Sequence, residues 1–303
     1  MSEALELTAY LARWADKNPA REAVSATVDA IARACITIDA LVRKGPLAGA
    51  VGATTGKQSG VDQQKKIDIL ANDIILDAMR ACPVACFASE EMDNPLCIHA
   101  NGTLAVAADP IDGSSNVDAN ITLGTIFSIL PALAGGADGS SFMQPGRNQL
   151  AAGFAVYGPF TSLVVTVGAG TQIFSLDPDD RKFYRTLYSV AIPAVTSEFA
   201  INSSNYRHWE DCVRIYVDDL LRGREGPRGK DFNMRWTATP VSDIYRILSR
   251  GGIFLYPADL RDGYTSGRLR LIYEANPLAY VIEQAGGGAS TGRLRILDVE
   301  PRG

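Results

Sequence analysis

From residue 83 onward, the chain is a series of short apolar runs separated by turn residues, and this pattern limits the possible folds more than any other feature. Apolar runs of about four to eight residues bounded by Gly, Pro, Asn or Asp are typical of buried β-strands. The turn at 168–170 separates two such runs, which predicts consecutive strands paired as a meander. We predict strands over 104–108, 125–130, 153–156, 162–167, 172–176, 252–256 and 269–273.

Helical periodicity precedes these strands. Apolar residues from Val24 to Val42 recur at steps of three and four, which predicts an amphipathic helix over 20–43. A Gly-, Ala- and Thr-rich segment over 45–60 is expected to be a loop, and a second helix is predicted to begin at Asp62. The buried stripe of that second helix would comprise Ile67, Leu70, Ile74 and Ile75.

The order of these elements indicates a layered α/β fold with largely mixed sheets, because helices come first and strands in hairpins follow. The last region is predicted to contain a further helix that begins at Asn276 and Pro277. A length of 303 residues is enough for about two domains. We place the boundary within 177–196, which divides the chain into domains over 1–190 and 191–303.

Composition and charge exclude several classes of protein. The chain has 34 acidic and 29 basic residues, which gives it no general affinity for nucleic acid. No apolar run reaches the ~18–20 residues of a membrane-spanning helix, so no membrane partner is expected. The first ten residues contain two glutamates and no basic residue, unlike a signal peptide. Five cysteines without zinc-type spacing are expected to be reduced, mostly buried thiols of a cytoplasmic protein.

The most informative stretch is AADPIDGSSN, residues 107–116. Asp109 ends a predicted strand and Asp112 follows across a Pro-containing turn, so the two carboxylates would repel each other unless a cation lay between them. The same residues are also good turn formers, and a purely structural role stays open. Residues 113–116 offer backbone N–H groups and hydroxyls, which are typical of a phosphate-binding turn at a helix N-terminus. A metal site joined to such a turn predicts hydrolysis of phosphate esters.

Two further acidic positions follow predicted apolar strands. Glu90 and Glu91 come after an apolar run, and Glu274 closes the run over 269–273. Each could be a surface acid by itself, but acids at the ends of several strands favour convergence on a cation. Oxygen ligands without Cys or His suit Mg²⁺, with Mn²⁺ as a substitute, rather than Zn²⁺.

Asp68 has two interpretations. It could take the proton from an attacking water molecule. Its neighbours Lys65 and Lys66 favour the alternative, an exposed helix acid paired with lysine.

These segments together resemble class I fructose-1,6-bisphosphatase over about residues 30–300. The motif at 109–116 is shared by the wider superfamily of lithium-sensitive, magnesium-dependent sugar phosphatases. The segments that are closer to the bisphosphatase family in particular are 60–73, 144–153, 251–258 and 268–287. The resemblance implies a layered α-β-α-β-α sandwich with mixed sheets, in which 1–190 binds metal and phosphate and 191–303 binds the sugar phosphate. It also implies hydrolysis of the 1-phosphate of fructose 1,6-bisphosphate by metal-activated water.

The same resemblance implies roles for individual residues. The implied metal ligands are Glu90, Asp109, Asp112, Glu274 and the carbonyl of Ile111, with Asp62 near a third metal position. The groups implied to act in catalysis are Asp68, Glu91 and Asp112. The departing phosphate would contact Asp112, Gly113, Ser114 and Ser115. The retained phosphate and the sugar would contact Asn202, Tyr206, Tyr256, Arg268 and Arg270. Arg235 would reach into the active site of a neighbouring subunit of a homotetramer.

Several positions depart from the family pattern. Arg268 stands where lysine is usual, Trp236 where tyrosine is usual and Pro240 where methionine is usual. These changes make sedoheptulose 1,7-bisphosphate an alternative or second substrate. The segments at 18–27 and 103–104 differ from the family's AMP-binding segments, so we predict weak or absent inhibition by AMP.

Other classes of function are disfavoured. A non-catalytic sugar-phosphate sensor would be expected to lack a metal ligand, and none of the implied ligands is missing from the sequence. An inositol-monophosphate phosphatase would share the 109–116 motif but not the segments at 144–148 and 273–277. A nucleotide-dependent kinase is excluded because the glycine-rich segment at 52–57 lacks the spacing of a phosphate loop. Gluconeogenesis and the Calvin cycle are both compatible with the leading interpretation.

Overall fold

The computed structural model describes residues 5–45, 47, 60–133, 139–187 and 190–302, and the side chains of 60–65 lie outside this description. Most of the predicted loop over 45–60, and the side chain of Asp62, therefore fall outside the described residues. The helices are α1 (Leu7–Ala15), α2 (Pro19–Arg43), α3 (Gly60–Arg80), α4 (Asp211–Leu221), α5 (Pro240–Arg250) and α6 (Asn276–Gln284). The strands are β1 (Val84–Ser89), β2 (Leu96–Cys97), β3 (Leu104–Asp112), β4 (Leu123–Pro131), β5 (Ala151–Tyr157), β6 (Thr161–Thr166), β7 (Thr171–Leu176), β8 (Phe183–Leu187), β9 (Glu198–Ile201), β10 (Asn233–Met234) and β11 (Ile253–Leu255).

Within the part of the chain that the structure describes, eight strands form a large sheet with the order β2-β1-β3-β4-β5-β6-β7-β8. β1 and β3 pair in parallel, and the other neighbours pair antiparallel. From β3 to β8 each strand pairs with the next one in the chain, which confirms the predicted meander. Gly168 and Gly170 have positive φ in the turn between β6 and β7, a backbone conformation that glycine adopts without strain.

Helices cover both faces of the large sheet. On one face, α1, α2 and α3 share a core with the sheet that includes Ile31, Ile75 and Phe127. On the opposite face, Ile244 of α5 and Val281 of α6 share a core with residues of the sheet that include Phe154 of β5 and Val164 of β6. Burying both faces explains why every residue of β1, β3, β5 and β6 is buried.

A small parallel sheet, β10-β9-β11, forms a second β layer. Phe254 of β11 packs against the core formed by α5 and α6, and α4 covers the small sheet through Val217 and Leu220. The layers therefore follow the expected α-β-α-β-α order. The large sheet is mixed, and the small sheet is parallel between its described strands.

The α3 stripe differs in part from the prediction. Ile67 and Ile75 are buried, but Leu70 is 36% exposed, so its predicted burial is wrong. The buried residues of α3 recur at steps of four, and Ala71 lies between the two isoleucines on that face. Leu70 lies one residue away from this row and is therefore turned away from the buried face.

The predicted strand over 269–273 is wrong. Residues Leu271–Ala275 form a π-helical turn that leads directly into α6. The backbone N–H groups of Glu274 and Ala275 both donate to the carbonyl of Arg270, which is local bonding rather than bonding to a neighbouring strand. Ile272 and Tyr273 pack against the Ala-rich part of β1 and β3, so tertiary packing explains their apolar character.

None of the described helices is long and apolar enough to cross a membrane. All five cysteines are free thiols; Cys35, Cys82 and Cys86 are buried, whereas Cys97 and Cys212 are exposed.

Candidate active site

The parallel pairing of β1 with β3 brings two of the predicted acids together. Ser89 at the end of β1 lies opposite Ala108 in β3, and the N–H of Glu90 donates to the Ala108 carbonyl at 3.0 Å. The residues that follow, Glu90 and Asp109, are therefore neighbours at the same edge of the sheet. Parallel strands end at a common edge, and this places the two carboxylates side by side.

A bulge in β3 places Asp112 near the same edge. Asp109 pairs with Ile126 and Asp112 pairs with Gly124, so β3 has one residue more than β4 over this interval. In a regular strand, two side chains three residues apart point to opposite faces. The extra residue restores a common face, which is the geometric effect of a β-bulge. The bulge thus explains how a DPID sequence can direct both carboxylates to one site.

The π-helical turn supplies the third element of the site. Glu274 lies in this turn and is 7% exposed. Carboxylate oxygens of Glu90, Asp109 and Glu274 lie within 4.8 Å of one another. These three acids come from segments up to about 180 residues apart in the chain, and packing of Ile272 and Tyr273 on β1 and β3 brings the turn to them.

Burial and mutual repulsion raise the pKa values of these acids. Burial raises the pKa of Asp112 to about 8 and that of Glu274 to about 7, and the Glu90 carboxylate adds to both shifts. The pKa of Asp109 is raised well above its usual value by burial and then by the Asp112 and Glu90 charges. Carboxylates that repel one another away from water are stabilised by a cation between them.

Arg270 contacts two of the acids. Its guanidinium Nη1 lies 2.5 Å from Glu90 Oε1, and its backbone N–H donates to Glu274 Oε2 at 2.6 Å. The guanidinium opposes the rise that burial causes in the pKa of Glu90. The other oxygen of that carboxylate, Oε2, is buried and has no hydrogen-bond partner among the described residues.

Asp68 of α3 lies beside this cluster and is 7% exposed, so the interpretation as an exposed helix acid is wrong. Burial raises the pKa of Asp68 to about 7, and the charges of Glu91 and Glu90 contribute in that order. The Ser114 hydroxyl is hydrogen-bonded to Asp68, whereas Asp68 Oδ1 has no partner among the described residues. α3 therefore brings a carboxyl that can accept a proton near neutral pH to the edge of the acid cluster.

The predicted phosphate-binding turn follows β3 directly. Gly113 has φ of 80°, and Ser114–Asn116 form a single 3₁₀ turn rather than the helix N-terminus that we expected. A Cβ at Gly113 would lie 1.9 Å from Cγ2 of Thr239, so glycine is required there by both conformation and space. Ser114 is half-buried beside Asp68, and Ser115 is exposed.

Residues predicted to hold the retained phosphate and the sugar lie in the C-terminal part of the chain. Arg268 forms an ion pair with the buried Asp259 and lies over the ring of Tyr256. The ring of Trp236 packs edge-on against the same tyrosine at 5.3 Å. Pro240 is buried at the start of α5.

Three other predicted residues contact neighbours outside the acid cluster. The side chain of Asn202 accepts the N–H of Ser204 and caps a short 3₁₀ helix. The hydroxyl of Tyr206 donates to Asp218. Arg235 is half-exposed, with Nε 3.9 Å from Glu198 Oε1.

Ile111, the predicted carbonyl ligand, is buried, and its N–H donates to Asp109 Oδ1 at 3.1 Å.

Sequence reasoning missed two buried acids near these groups. Asp243 in the first turn of α5 is 1% exposed, and its charge acts on Asp112. Asp259 is 4% exposed and accepts hydrogen bonds from Arg261 and Arg268. The sequence signal for Asp259 was weak, because an acid near two arginines in a loop is common on protein surfaces.

The acid cluster fits a divalent cation. The donors are carboxylate oxygens of the half-buried Glu90 and the buried Asp109 and Glu274, and Oε2 of Glu90 has no partner among the described residues. Burial, and then the charges of neighbouring carboxylates, raise the pKa values of Asp109 and Glu274. Hard oxygen donors of this kind select Mg²⁺ or Mn²⁺ over softer metals. Acids of this kind beside a Gly-Ser turn are typical of metal-dependent phosphatases.

Comparisons with known proteins agree with that class. The sequence models "Fructose-1-6-bisphosphatase, N-terminal domain" and "Fructose-1-6-bisphosphatase, C-terminal domain" match residues 7–187 and 192–303. A class 1 fructose-1,6-bisphosphatase of Azorhizobium caulinodans is 51% identical over 100% of this chain and 93% of its own length. Another, from Rhizobium meliloti, is 52% identical over 97% of this chain and 86% of its own length.

Solved structures show the same likeness. The holo form of Leishmania major fructose-1,6-bisphosphatase superposes with a TM-score of 0.86 at 31% identity, covering 99% of this chain and 92% of that chain. The chain belongs to the fructose-1,6-bisphosphatase family.

Proposed function

We propose that the protein hydrolyses the 1-phosphate of fructose 1,6-bisphosphate, releasing fructose 6-phosphate and phosphate. The observation that carries this proposal is the convergence of carboxylate oxygens of Glu90, Asp109 and Glu274 within 4.8 Å of one another. The predicted phosphate-binding turn begins at Gly113, directly after β3, which contains Asp109. Relatives that are 51% and 52% identical over at least 97% of the chain are named fructose-1,6-bisphosphatases, which supports fructose 1,6-bisphosphate as the substrate.

Magnesium is the proposed cofactor, with Mn²⁺ as a substitute. The residues that would hold it are Glu90, Asp109, Asp112, Glu274 and the carbonyl of Ile111, with Asp62 near a third position. A bound divalent cation supplies Lewis-acid polarisation of the phosphoryl group and acidifies water. Arg270 already neutralises part of the charge on Glu90, which lowers the repulsion in the cluster.

Asp68 and Glu91 are proposed to take the proton from the attacking water. Asp68 suits this role because its pKa is raised to about 7 and its Oδ1 has no partner among the described residues. A general base works best when its pKa lies near the operating pH. Gly113, Ser114 and Ser115 would hold the departing phosphate through backbone N–H groups and hydroxyls.

The retained phosphate and the sugar are proposed to bind Asn202, Tyr206, Tyr256, Arg268 and Arg270. Arg235 is proposed to contact the substrate of a neighbouring subunit, in a homotetramer. Its half-exposed side chain and long separation from Glu198 leave the guanidinium able to reach outward. We further propose a cytoplasmic enzyme of gluconeogenesis or the Calvin cycle, with domains over 1–190 and 191–303; the separate family matches to 7–187 and 192–303 support that division.

Sedoheptulose 1,7-bisphosphate is a second candidate substrate. The Trp236 ring stacks on Phe254 with an interplanar angle of 1° and packs against Tyr256. A large indole where the family has a phenol changes the surface that faces the proposed sugar site.

Phosphate release from both sugar bisphosphates, with Mg²⁺, with Mn²⁺ and with EDTA, tests the proposal. We expect magnesium-dependent release from fructose 1,6-bisphosphate, and the ratio of kcat/KM values measures preference for the seven-carbon sugar. Sugar-phosphate binding without turnover under every metal condition would instead support a sensor.

A further inference from the structure

A buried carboxylate organises the arginines of the C-terminal site. The side chain of Asp259 is 1% exposed and lies between Arg261 and Arg268. Its Oδ2 accepts from Nη2 of Arg261 at 2.6 Å and from Nη2 of Arg268 at 2.8 Å. Its Oδ1 accepts from both Nε and the backbone N–H of Arg261 at 3.0 Å. These bonds keep the pKa of Asp259 below its usual range, so the carboxylate remains ionised.

Asp259 and two tyrosines fix the plane of the Arg268 guanidinium. Its central carbon lies 3.8 Å from the ring centre of Tyr264 and 5.3 Å from that of Tyr256. Only 12% of the side chain is exposed. The Nε–H of Arg268 is buried and has no hydrogen-bond partner among the described residues. A buried donor without a partner is unfavourable, and a hydrogen bond to a ligand oxygen would remove that cost.

Arg261 extends the same network to a second segment. Its Nη2 also donates to Oδ1 of Asn205 at 2.9 Å. Asn205 lies in the short 3₁₀ helix Ser203–His208, which contains Tyr206 and follows Asn202. The loop that contains Arg268 is thus tied through Asp259 and Arg261 to the helix that contains Tyr206 and is capped by Asn202.

The network has an excess of positive charge. The single carboxylate of Asp259 faces the guanidinium groups of both Arg261 and Arg268. A third guanidinium is close in sequence to the helix residues: Nε of Arg207 lies 3.0 Å from Nε2 of His208. Partial burial and then the Arg261 charge lower the pKa of His208. A planar, fixed guanidinium with a free donor edge matches a phosphate dianion better than a mobile ammonium does.

We propose that Asp259 is a positioning residue for the phosphate that the substrate retains. It holds Arg268 in one plane against Tyr264, with Nε free for a phosphate oxygen, and aligns this loop with the 203–208 helix through Arg261. The inference rests on the proposed function, because it assigns the arginine pair to the second phosphate of a sugar bisphosphate. Specificity for doubly phosphorylated sugars depends on this buried acid.

Asp259→Asn tests the role while keeping the side-chain shape. We expect KM for fructose 1,6-bisphosphate to rise about tenfold with kcat within about threefold, because the retained phosphate binds equally in the ground and transition states. Fructose 1-phosphate lacks that phosphate, so its kcat/KM should be unchanged. The preference for the bisphosphate should therefore fall about tenfold.

Asp262→Asn is the matched control, because Asp262 is an exposed acid in the same loop. Its kinetics should equal those of the wild type. An equal loss with both substrates in Asp259→Asn, or no change in either, would overturn the proposal. Should that variant fail to fold, Arg261→Gln takes its place, and the same selective rise in KM is expected.

A wild-type protein that releases no phosphate from fructose 1,6-bisphosphate would refute the proposed function separately. Calorimetric titration with fructose 6-phosphate then tests the inference alone. Weaker binding by Asp259→Asn than by Asp262→Asn would support the positioning role, and equal binding would overturn it.

Discussion

The carboxylate of Asp112 accepts a hydrogen bond of 3.0 Å from the backbone N–H of Val241, in the first turn of α5. The side chain of Thr239, the N-cap residue of α5, makes no capping hydrogen bond. An acid proposed to bind metal thus also satisfies a helix N–H, since the first N–H groups of a helix have no partner within it. This bond connects the end of β3 to the C-terminal part of the chain.

Asp112→Ala is expected to abolish turnover, with a loss of more than about 100-fold, because replacing even an outer partner of a metal ligand costs about 10–100-fold. The variant should still fold, with the free energy of unfolding lower by about 1 kcal/mol from the lost cap. Asp112→Asn separates the two roles, because asparagine can also cap a helix. It should recover stability but not activity. Near-normal turnover in either variant would remove Asp112 from the mechanism.

Gly113→Ala is expected to inactivate the enzyme and to destabilise it by about 1–3 kcal/mol, because the new Cβ would overlap Thr239 Cγ2. Adding Thr239→Ser removes that methyl group and should restore part of the stability. Gly286→Ala is the matched control, because Gly286 has φ of 83° but no atom within 4 Å of a Cβ. Urea unfolding and phosphate release measure both effects. Equal losses for the two glycine variants would show that crowding is unimportant.

Thr125→Val tests how the bulge in β3 is supported. The Thr125 hydroxyl donates to the Pro110 carbonyl at 2.7 Å and lies 2.8 Å from the Tyr157 hydroxyl, all within the core. Valine removes the donor to the buried Pro110 carbonyl, at a cost of about 1–3 kcal/mol. We expect lower kcat as well, because Pro110 lies between Asp109 and Asp112. Thr125→Ser keeps the hydroxyl and should retain activity; a fully active valine variant would contradict this support.

Without metal, the protein should become less stable as pH rises from about 4 to about 8. The pKa values of Asp68 and Glu274 are raised to about 7 and that of Asp112 to about 8. Between the unfolded and native pKa values the native protein binds more protons than the unfolded chain, so the free energy of unfolding falls with pH. Urea unfolding in EDTA measures this slope, which should be shallower in Glu274→Gln.

Magnesium should reverse that loss. At about 100 times its Kd, a ligand that binds only the native state raises the free energy of unfolding by about 2.7 kcal/mol. The gain should be larger at pH 8 than at pH 5, because protons compete for the carboxylates. A gain that does not depend on pH would argue against binding at these acids.

AMP is expected to inhibit weakly or not at all. Phosphates bind to helix N-termini whose N–H groups are free. At the start of α2, within the segment 18–27, the Asn18 side chain already accepts the N–H groups of Ala20 and Arg21. Measured phosphate release across a range of AMP concentrations tests this, and strong inhibition at low micromolar AMP would contradict it.

Local sequence was sufficient for the elements whose surroundings are uniform. The 3.6-residue period of 20–43 identified α2, and the apolar runs from 104 to 176 identified the strands of the meander, because both faces of the large sheet are covered by helices. The motif at 109–116 indicated a metal and phosphate site from charge repulsion and turn chemistry alone. Leu70 and the 269–273 run were misassigned because packing partners distant in sequence decided their burial and backbone geometry.

The site itself depended on tertiary structure. The sequence identified Glu90, Asp109 and Glu274 as acids at the ends of apolar runs, but only parallel pairing of β1 with β3 and packing of the π-helical turn bring their oxygens within 4.8 Å. The lysines beside Asp68 favoured an exposed acid and the sequence did not single out Asp259, yet both are buried in the fold. The physical reason is that charge interactions and desolvation depend on distance in space, whereas local sequence specifies only the backbone preferences of adjacent residues.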